Sequence, residues 1–471
     1  MPRARPTLRD RLERIESRLA ETGQRHLVGH LGAIAAAARR RLLGELEALD
    51  WEEFGRALRR IRDGAPSTFP GRLEPPEVFP LRRTPEQEAF ARRAREAGEA
   101  LLRAGKVACL TVAGGQATRL RWQGPKGCLA VGPVSHASLF EIHADKVAGA
   151  IRRYGAPLPW YLLTSPSNHE ATERFFREKE FFGLPPGDVR FFPQGSVPAV
   201  DLEGRLLLAA PGALLLSPDG HGGVFAALRA HGILEDARRR GVEHFSYFQV
   251  DNPLIPAADP LFLGLHARRG AGMSAKFVGK RAPTEKVGVL VRSEGGIACV
   301  EYSDLEPSLA AERDASGDLR LRAGNIASHA IDVAFAAEVP LADLLFHRAE
   351  KTVRALGLDG AAFEVRAVKF ERFVFDALPR AGEAACLEVD RAEEFSPVKN
   401  AEGENSPSTA AAAMAGRAAR WFRKAGLPLP PPGPEGYPPI EVSGRFALDE
   451  AEFLERARDL RVDPSGPIFL R

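Results

Sequence analysis

Arg119 and Lys126 follow a glycine pair, Gly114-Gly115, in the segment Leu110 to Lys126, and cations so placed can meet several phosphates at once. The guanidinium offers a planar fork of donors, while the ammonium is a compact charge held in position by the preceding Pro125. Glycines let the backbone approach a ligand without a Cβ in the way, and peptide N–H groups in such a turn can point at phosphate oxygens. Before them, Val107 to Val112 form a short, nearly all-apolar run, the pattern of a parallel strand buried on both faces. Together these features suit a nucleoside triphosphate whose pyrophosphate leaves against two cations. The segment contains neither G-x-x-x-x-G-K-[ST] nor G-x-G-x-x-G, which excludes the kinase and dehydrogenase loops.

Asp251 ends a second apolar run, Phe245 to Val250. Its carboxylate either meets a Mg²⁺ ion carrying phosphates, a hard cation that needs few protein ligands, or caps the turn before Pro253. Gln194 follows Phe191-Phe192 at the end of another strand-like run, and its amide suits the donor and acceptor edge of a pyrimidine.

The Gly114 segment resembles the signature G-G-x-G-T-R-L-G followed by P-K of the nucleotidyltransferases that make UDP-sugars. The similarity is greatest to the eukaryotic-type UDP-N-acetylhexosamine pyrophosphorylase family, within the wider UDP-sugar pyrophosphorylases. Further blocks follow in that family's order: Phe191 to Gly195, Ser217 to Gly223, Val250-Asp251-Asn252, Val300 to Ser303, Ala323 to Ile326, Phe373 to Asp376 and Glu394 to Asn400. The resemblance covers about residues 100 to 410. It implies uridylyl transfer from UTP to a sugar 1-phosphate, foremost N-acetylglucosamine 1-phosphate, giving a UDP-sugar and pyrophosphate. The alternatives are a UDP-glucose or broad-specificity UDP-sugar pyrophosphorylase and, more remotely, a non-catalytic nucleotide-sugar-binding protein.

Carried over residue by residue, the resemblance assigns Arg119, Lys126 and Lys399 to catalysis at the phosphates and Asp251 to Mg²⁺, with Mn²⁺ as the alternative. Ala113, Gly114, Gly115, Gln194, Gly220, His221 and Gly222 fall at nucleotide-binding positions. His221, Glu301, Asn325, Phe373 and Phe375 fall at sugar-binding ones. Three positions depart from the pattern. Ala117 and Arg121 stand where the family usually has glycine: an alanine held at positive φ at 117 would cost on the order of 1 kcal/mol, and Arg121 adds a charge beside the site that either touches phosphate or faces water. His221 replaces the asparagine of the N-acetylhexosamine branch by the histidine of the UDP-glucose and broad-specificity branches.

These residues need a scaffold that brings distant segments together. From Val107 onward, strand-like runs (Trp160 to Thr164, Val189 to Phe192, His244 to Val250, Met273 to Val278, Gly288 to Val291) alternate with helical patterns. That alternation predicts an α/β fold, a Rossmann-like, mostly parallel mixed sheet with helices on both faces, whose ligands bind beyond the carboxyl ends of the strands. Ahead of it the spacing predicts helices over Leu8 to Leu19, Leu31 to Leu49, Trp51 to Ile61 and Pro85 to Arg103, with an extended, proline-rich arm over Gly64 to Arg82. Residues 409 to 424 read as helical. The division expected is a helical N-terminal region at 1–98, a nucleotidyltransferase domain at 99–395 and a small C-terminal domain at 396–471.

A net charge of +3 on 471 residues is too balanced for a nucleic-acid partner, and Leu206 to Leu216, broken by Pro211 and Gly212, is too short to span a membrane. Cys109, Cys128, Cys299 and Cys386 show no metal or disulfide spacing. With no apolar leader at the N-terminus, a cytoplasmic protein is expected, as a monomer or weak homo-oligomer.

Overall fold

The structure, a computed structural model, describes residues 7–63, 73–115, 118–293 and 296–471; Ala117 and residues 64–72 of the arm lie outside them. Two compact units divide the chain. The first gathers the N-terminal helices with Gly195–Gly223 and Leu341–Val374, and the second holds the segment ending at Gln194, Val224–Pro340 and Phe375–Arg471.

In the first unit the helices Leu8–Glu21, His26–Ala33, Ala36–Ala48 and Trp51–Asp63 bury Leu19, Leu27, Leu42, Leu43, Leu46 and Phe54 against Val200, Leu206, Leu214, Val368 and Phe370. The first helix starts with a capping box at Thr7 and Asp10, which satisfies two backbone N–H groups that helix geometry leaves unpaired. The single helix expected over Leu31 to Leu49 is two, because Ile34 takes an extended conformation and ends the first of them. These helices share their core with a five-stranded sheet built from residues 200 to 214 and 347 to 371, so they pack a domain instead of forming a free coiled-coil arm.

The second unit is built on a nine-stranded sheet. Its strands are β1 (Val107–Val112), β2 (Trp160–Thr164), β3 (Val189–Pro193), β4 (His244–Gln249), β5 (Met273–Gly279), β6 (Val289–Ser293), β7 (Gly296–Val300), β8 (Ala323–Asp332) and β9 (Cys386–Glu388). Their order is β7-β6-β8-β4-β1-β2-β3, with β5 pairing with β8 and β9. Strands β4, β1, β2 and β3 run parallel, while β8 joins β4 antiparallel and carries β6 and β7 beyond it. β1 and β2 are buried almost throughout, as near-continuous apolar strands covered on both faces must be.

The described part of the proline-rich arm pairs with strands of this sheet at two points: Glu74 bridges Arg292 of β6 and Phe79 bridges Leu387 of β9. The helix Pro85–Arg103 opens on a Thr84–Gln87 capping box with proline at its first turn. The C-terminal residues form a cluster of their own, with Trp421 and Phe422 of the helix Pro407–Lys424 packed on Ile440 and Phe453. No helix among the described residues is long and apolar enough to cross a membrane.

Candidate active site

The carboxyl edge of the parallel strands collects most of the chemistry. Val112 pairs with Gln249, so Gly114 and Asp251, each two residues further on, emerge level on adjacent strands, which lie about 4.8 Å apart. The Asp251 carboxylate is buried, and Lys126 Nζ donates a hydrogen bond to its Oδ2 at 3.1 Å. The segment that leaves β1 at Gly114 therefore returns to the end of β4. Arg119 sits between, exposed on a single turn, Thr118–Leu120, that the buried Leu120 pins to the core. A second anchor is Gly127, where a Cβ would lie 2.2 Å from the Phe140 ring, so the backbone beside Lys126 is pressed against the helix Leu139–Tyr154.

Gln194 follows β3 and is buried, and its backbone N–H donates to the Thr164 carbonyl at 2.8 Å. A Cβ on Gly114 would meet Gln194 Oε1 at 2.2 Å, so the amide lies directly over the glycine turn. Ala113 is different. Its N–H donates to the Leu163 carbonyl at 2.7 Å, and its own carbonyl accepts from Asn168 Nδ2 at 2.9 Å. With its methyl group buried as well, the peptide groups open to a ligand start at Gly114.

Lys399 reaches the same place through backbone lacing. Val398 N–H donates to the Asp251 carbonyl at 2.8 Å, Ser396 N–H to Asn252 Oδ1 at 3.1 Å, and Asn252 Nδ2 to the Glu394 carbonyl at 2.7 Å. Lys399 N–H then bonds the carbonyl of Asn405, whose φ of +56° closes a tight loop.

Three residues that sequence reasoning missed hold the Asp251 loop from behind. Lys146 Nζ donates to the carbonyls of Pro253 and Ile255 at 2.5 and 2.7 Å, His143 Nε2 to that of Val250 at 3.0 Å, and Arg417 Nη1 to that of Leu254 at 3.1 Å. Burial, reinforced by the Arg417 charge, pulls the Lys146 ammonium well below the ordinary lysine range. The only sequence signal was a lysine set between Ala144 and Val147 on the buried side of an amphipathic helix.

Two of the candidate sugar residues, Asn325 and Glu301, lie close together at β6, β7 and β8. Asn325 Nδ2 donates to Cys299 Sγ at 3.6 Å, and its Oδ1 accepts from Ala327 N–H at 3.0 Å. A Cβ on Gly288 would lie 2.9 Å from Cys299 Sγ and 3.3 Å from Glu301 Oε1, which puts Glu301 beside the same glycine. β8 pairs with β4 from His329↔Tyr247 to Asp332↔His244, and a bend at Ala327, whose φ is +54°, separates that stretch from Asn325, which pairs with Phe277 of β5 across a shift in register.

The remaining candidates belong to the first unit, except Phe375, which is buried in the second. His221 Nδ1 accepts the Val374 N–H at 3.1 Å, and its ring stacks on Phe373 at 5.2 Å between centroids. Phe373 stacks in turn on His347 at 4.3 Å. Cβ atoms on Gly220 and Gly222 would meet the backbone of Arg372 and Phe373 at 2.4 and 2.7 Å. In this structure those glycines are required by chain packed on chain, a reason the motif alone does not reveal.

Of the departures, Arg121 takes φ +51°, the conformation for which glycine is suited, at a cost on the order of 1 kcal/mol. Burial, with the Glu178 charge adding to it, pushes the Cys128 thiol up to about 12, which disfavours the thiolate.

Residues 77–405 match the family described as UTP–glucose-1-phosphate uridylyltransferase. The chain belongs to that family. Among its relatives, UDP-N-acetylhexosamine pyrophosphorylase-like protein 1 of Homo sapiens is 37% identical over 90% of both chains. UDP-N-acetylglucosamine pyrophosphorylase of Saccharomyces cerevisiae is 36% identical over 68% of this chain and 71% of its own. The crystal structure of uridine diphosphate N-acetylglucosamine pyrophosphorylase from Trypanosoma brucei superposes with a TM-score of 0.82 and 26% identity, covering 100% of this chain and 99% of that one. Within the family, this chain is similar to the N-acetylglucosamine branch over most of its length.

Proposed function

We propose that the protein transfers a uridylyl group from UTP to N-acetylglucosamine 1-phosphate, releasing pyrophosphate. The observation that carries this reading is the order of groups along one sheet edge: Gln194 after β3, Gly114 after β1, Asp251 after β4, then Asn325 and Glu301 on β8 and after β7. That is the order base, phosphates, metal, sugar of a UDP-sugar laid across the strands.

The nucleophile is a phosphate oxygen that is already largely anionic at neutral pH, because a phosphate monoester has its second pKa at about 6. No general base is needed. The chain has to align two polyanions in line and offset the charge that gathers on the α-phosphate and the leaving pyrophosphate. Lys126, Arg119 and Lys399 supply cations for that task, and the Gly114 turn supplies close backbone approach.

Mg²⁺, with Mn²⁺ as the alternative, would be held by Asp251. One hard oxygen donor fits a cation that takes its other ligands from substrate phosphates and water. Among the described residues no group of three or more His, Cys, Asp or Glu offers a self-sufficient metal cage. When bound, the ion would neutralise phosphate oxygens next to the reacting phosphorus.

Relative kcat/KM for N-acetylglucosamine, N-acetylgalactosamine, glucose and galactose 1-phosphates with UTP tests the sugar. At least tenfold preference for an acetylated sugar is expected, and preference for the unacetylated ones would replace this reading by the UDP-glucose or broad-specificity one that His221 favours. Gly114→Ala tests the base end. The added methyl would lie 2.2 Å from the Gln194 amide oxygen and 3.1 Å from the Thr164–Ser165 backbone, so UTP affinity should fall at least tenfold and Tm should fall with it. Unchanged affinity for UTP would separate Gln194 from the nucleotide.

A further inference from the structure

The two charges that the proposed reaction needs apart are here bound to each other. Lys126 Nζ is 3.1 Å from Asp251 Oδ2, an ion pair and a hydrogen bond in one contact. Both partners are well covered, with side chains 16% and 9% exposed. Both backbones are fixed as well: Asp251 by the Val398 N–H at its carbonyl, and Lys126 by Pro125 before it and by Gly127 against Phe140. The pair can therefore open only by rotation of the side chains, chiefly the flexible four-carbon stem of the lysine.

We infer that this ion pair is a latch that makes the free enzyme select the metal–nucleotide complex. The inference rests on the proposed uridylyl transfer and on Asp251 as the metal carboxylate. In the latched state the Lys126 ammonium occupies the carboxylate, so a divalent cation arriving alone meets a neutralised site. Metal-free UTP meets the opposite difficulty. To take Lys126 it must break the pair and leave the buried Asp251 carboxylate bare beside its own negative phosphates, a like-charge arrangement that low-dielectric surroundings make costly. Only UTP carrying its cation satisfies both ends together: phosphate oxygens receive Lys126 and the cation receives Asp251.

The latch makes a prediction opposite in sign to that of a simple metal ligand. Removing the Asp251 charge should improve the binding of metal-free UTP, because Lys126 is then unpaired and no carboxylate repels the phosphates. Calorimetric titration of the full chain with UTP, in EDTA and in saturating Mg²⁺, reads this directly. In EDTA, Asp251→Asn is expected to bind UTP at least tenfold more tightly than wild type, and it should gain little from added Mg²⁺, whereas wild type gains at least tenfold. Asp251→Asn binding metal-free UTP no better than wild type, while wild type keeps its Mg²⁺ gain, overturns the latch and leaves the metal role standing. Wild-type affinity for UTP that is indifferent to Mg²⁺, or absent in both conditions, overturns the reading beneath it as well.

Should Asp251→Asn not fold, Lys126→Met decides. Freed of its partner, the carboxylate should bind Mn²⁺ without nucleotide, seen by electron paramagnetic resonance, at least tenfold more tightly than in wild type. Equal Mn²⁺ binding by the two proteins overturns the latch.

Discussion

Lys126→Met protein is expected to turn over UTP on the order of 10² to 10³ times more slowly than wild type, the usual loss when one preorganised group facing transition-state charge is removed. The side chain pairs with Asp251 in the structure and, in the proposed mechanism, would meet phosphate during reaction, so its loss would leave a buried carboxylate uncompensated in the first state and a growing charge unopposed in the second. The decisive comparison is kcat at saturating substrates alongside the far-ultraviolet circular dichroism of the variant. A folded Lys126→Met enzyme working within a fewfold of wild type would remove Lys126 from the chemistry, and with it the claim that the Gly114 segment and the β4 end share one nucleotide. Arg119→Ala is the companion test. Because Arg119 is exposed, its loss should leave stability unchanged, so any fall in rate reports on catalysis alone.

A second large effect is expected in acid. His266, His329 and His143 are fully buried, and burial lowers their pKa values to about 3, about 4 and about 3, with the neighbouring His244 charge adding to the first and the Lys146 charge to the last. Each ring has one nitrogen bonded, His266 to Ser274, His329 to the Ser274 carbonyl and His143 to the Val250 carbonyl, and the other nitrogen buried without a partner. The sign follows from linkage. Above about pH 6.5, the unfolded histidine value, neither state binds the proton and stability is constant. Below it the unfolded chain takes up protons that the folded chain refuses, so each histidine lowers the unfolding free energy by about 1.4 kcal/mol per pH unit until its folded pKa is reached. Three such groups acting over two units remove several kcal/mol, a large part of the ~5–15 kcal/mol typical of a folded protein. Urea unfolding at pH 7.5, 6.0, 5.0 and 4.5 should show a flat region followed by a steep fall. A midpoint that does not move between pH 7.5 and 4.5 would mean that these rings are solvated or already protonated in the native state.

Much of this was legible in the chain itself. The strands Val107–Val112 and Trp160–Thr164 and the helix Pro85–Arg103 match expectation to the residue, since each combines an unbroken period with explicit stops: glycines after β1, a Thr-Pro start and a capping glutamine for the helix. The candidate site was legible for a related reason. A glycine pair behind a buried strand and an aspartate ending another both fall at the carboxyl edge once the strands are parallel neighbours, so Gly114 and Asp251 had to be close.

Other features had no local signal. The linear reading of consecutive domains does not anticipate that residues 195–223 and 341–374 join the N-terminal helices, because membership of a core is settled by which apolar faces meet and not by order along the chain. Nor does it show that Ala113 spends both of its peptide groups on its neighbours, or that Arg121 takes a positive φ.

The amino-acid sequence by itself determined which chemical groups this protein has for a uridine nucleotide and a sugar phosphate, because residue type and spacing fix strand ends, turns and available charges. Only the tertiary structure decided that Lys126 rests on Asp251, and that Lys146, His143 and Arg417 hold the carbonyls behind it. Those partners lie 107 to 163 residues apart in sequence, and contacts at that range depend on how helices pack on the sheet, information that no local pattern of residues contains.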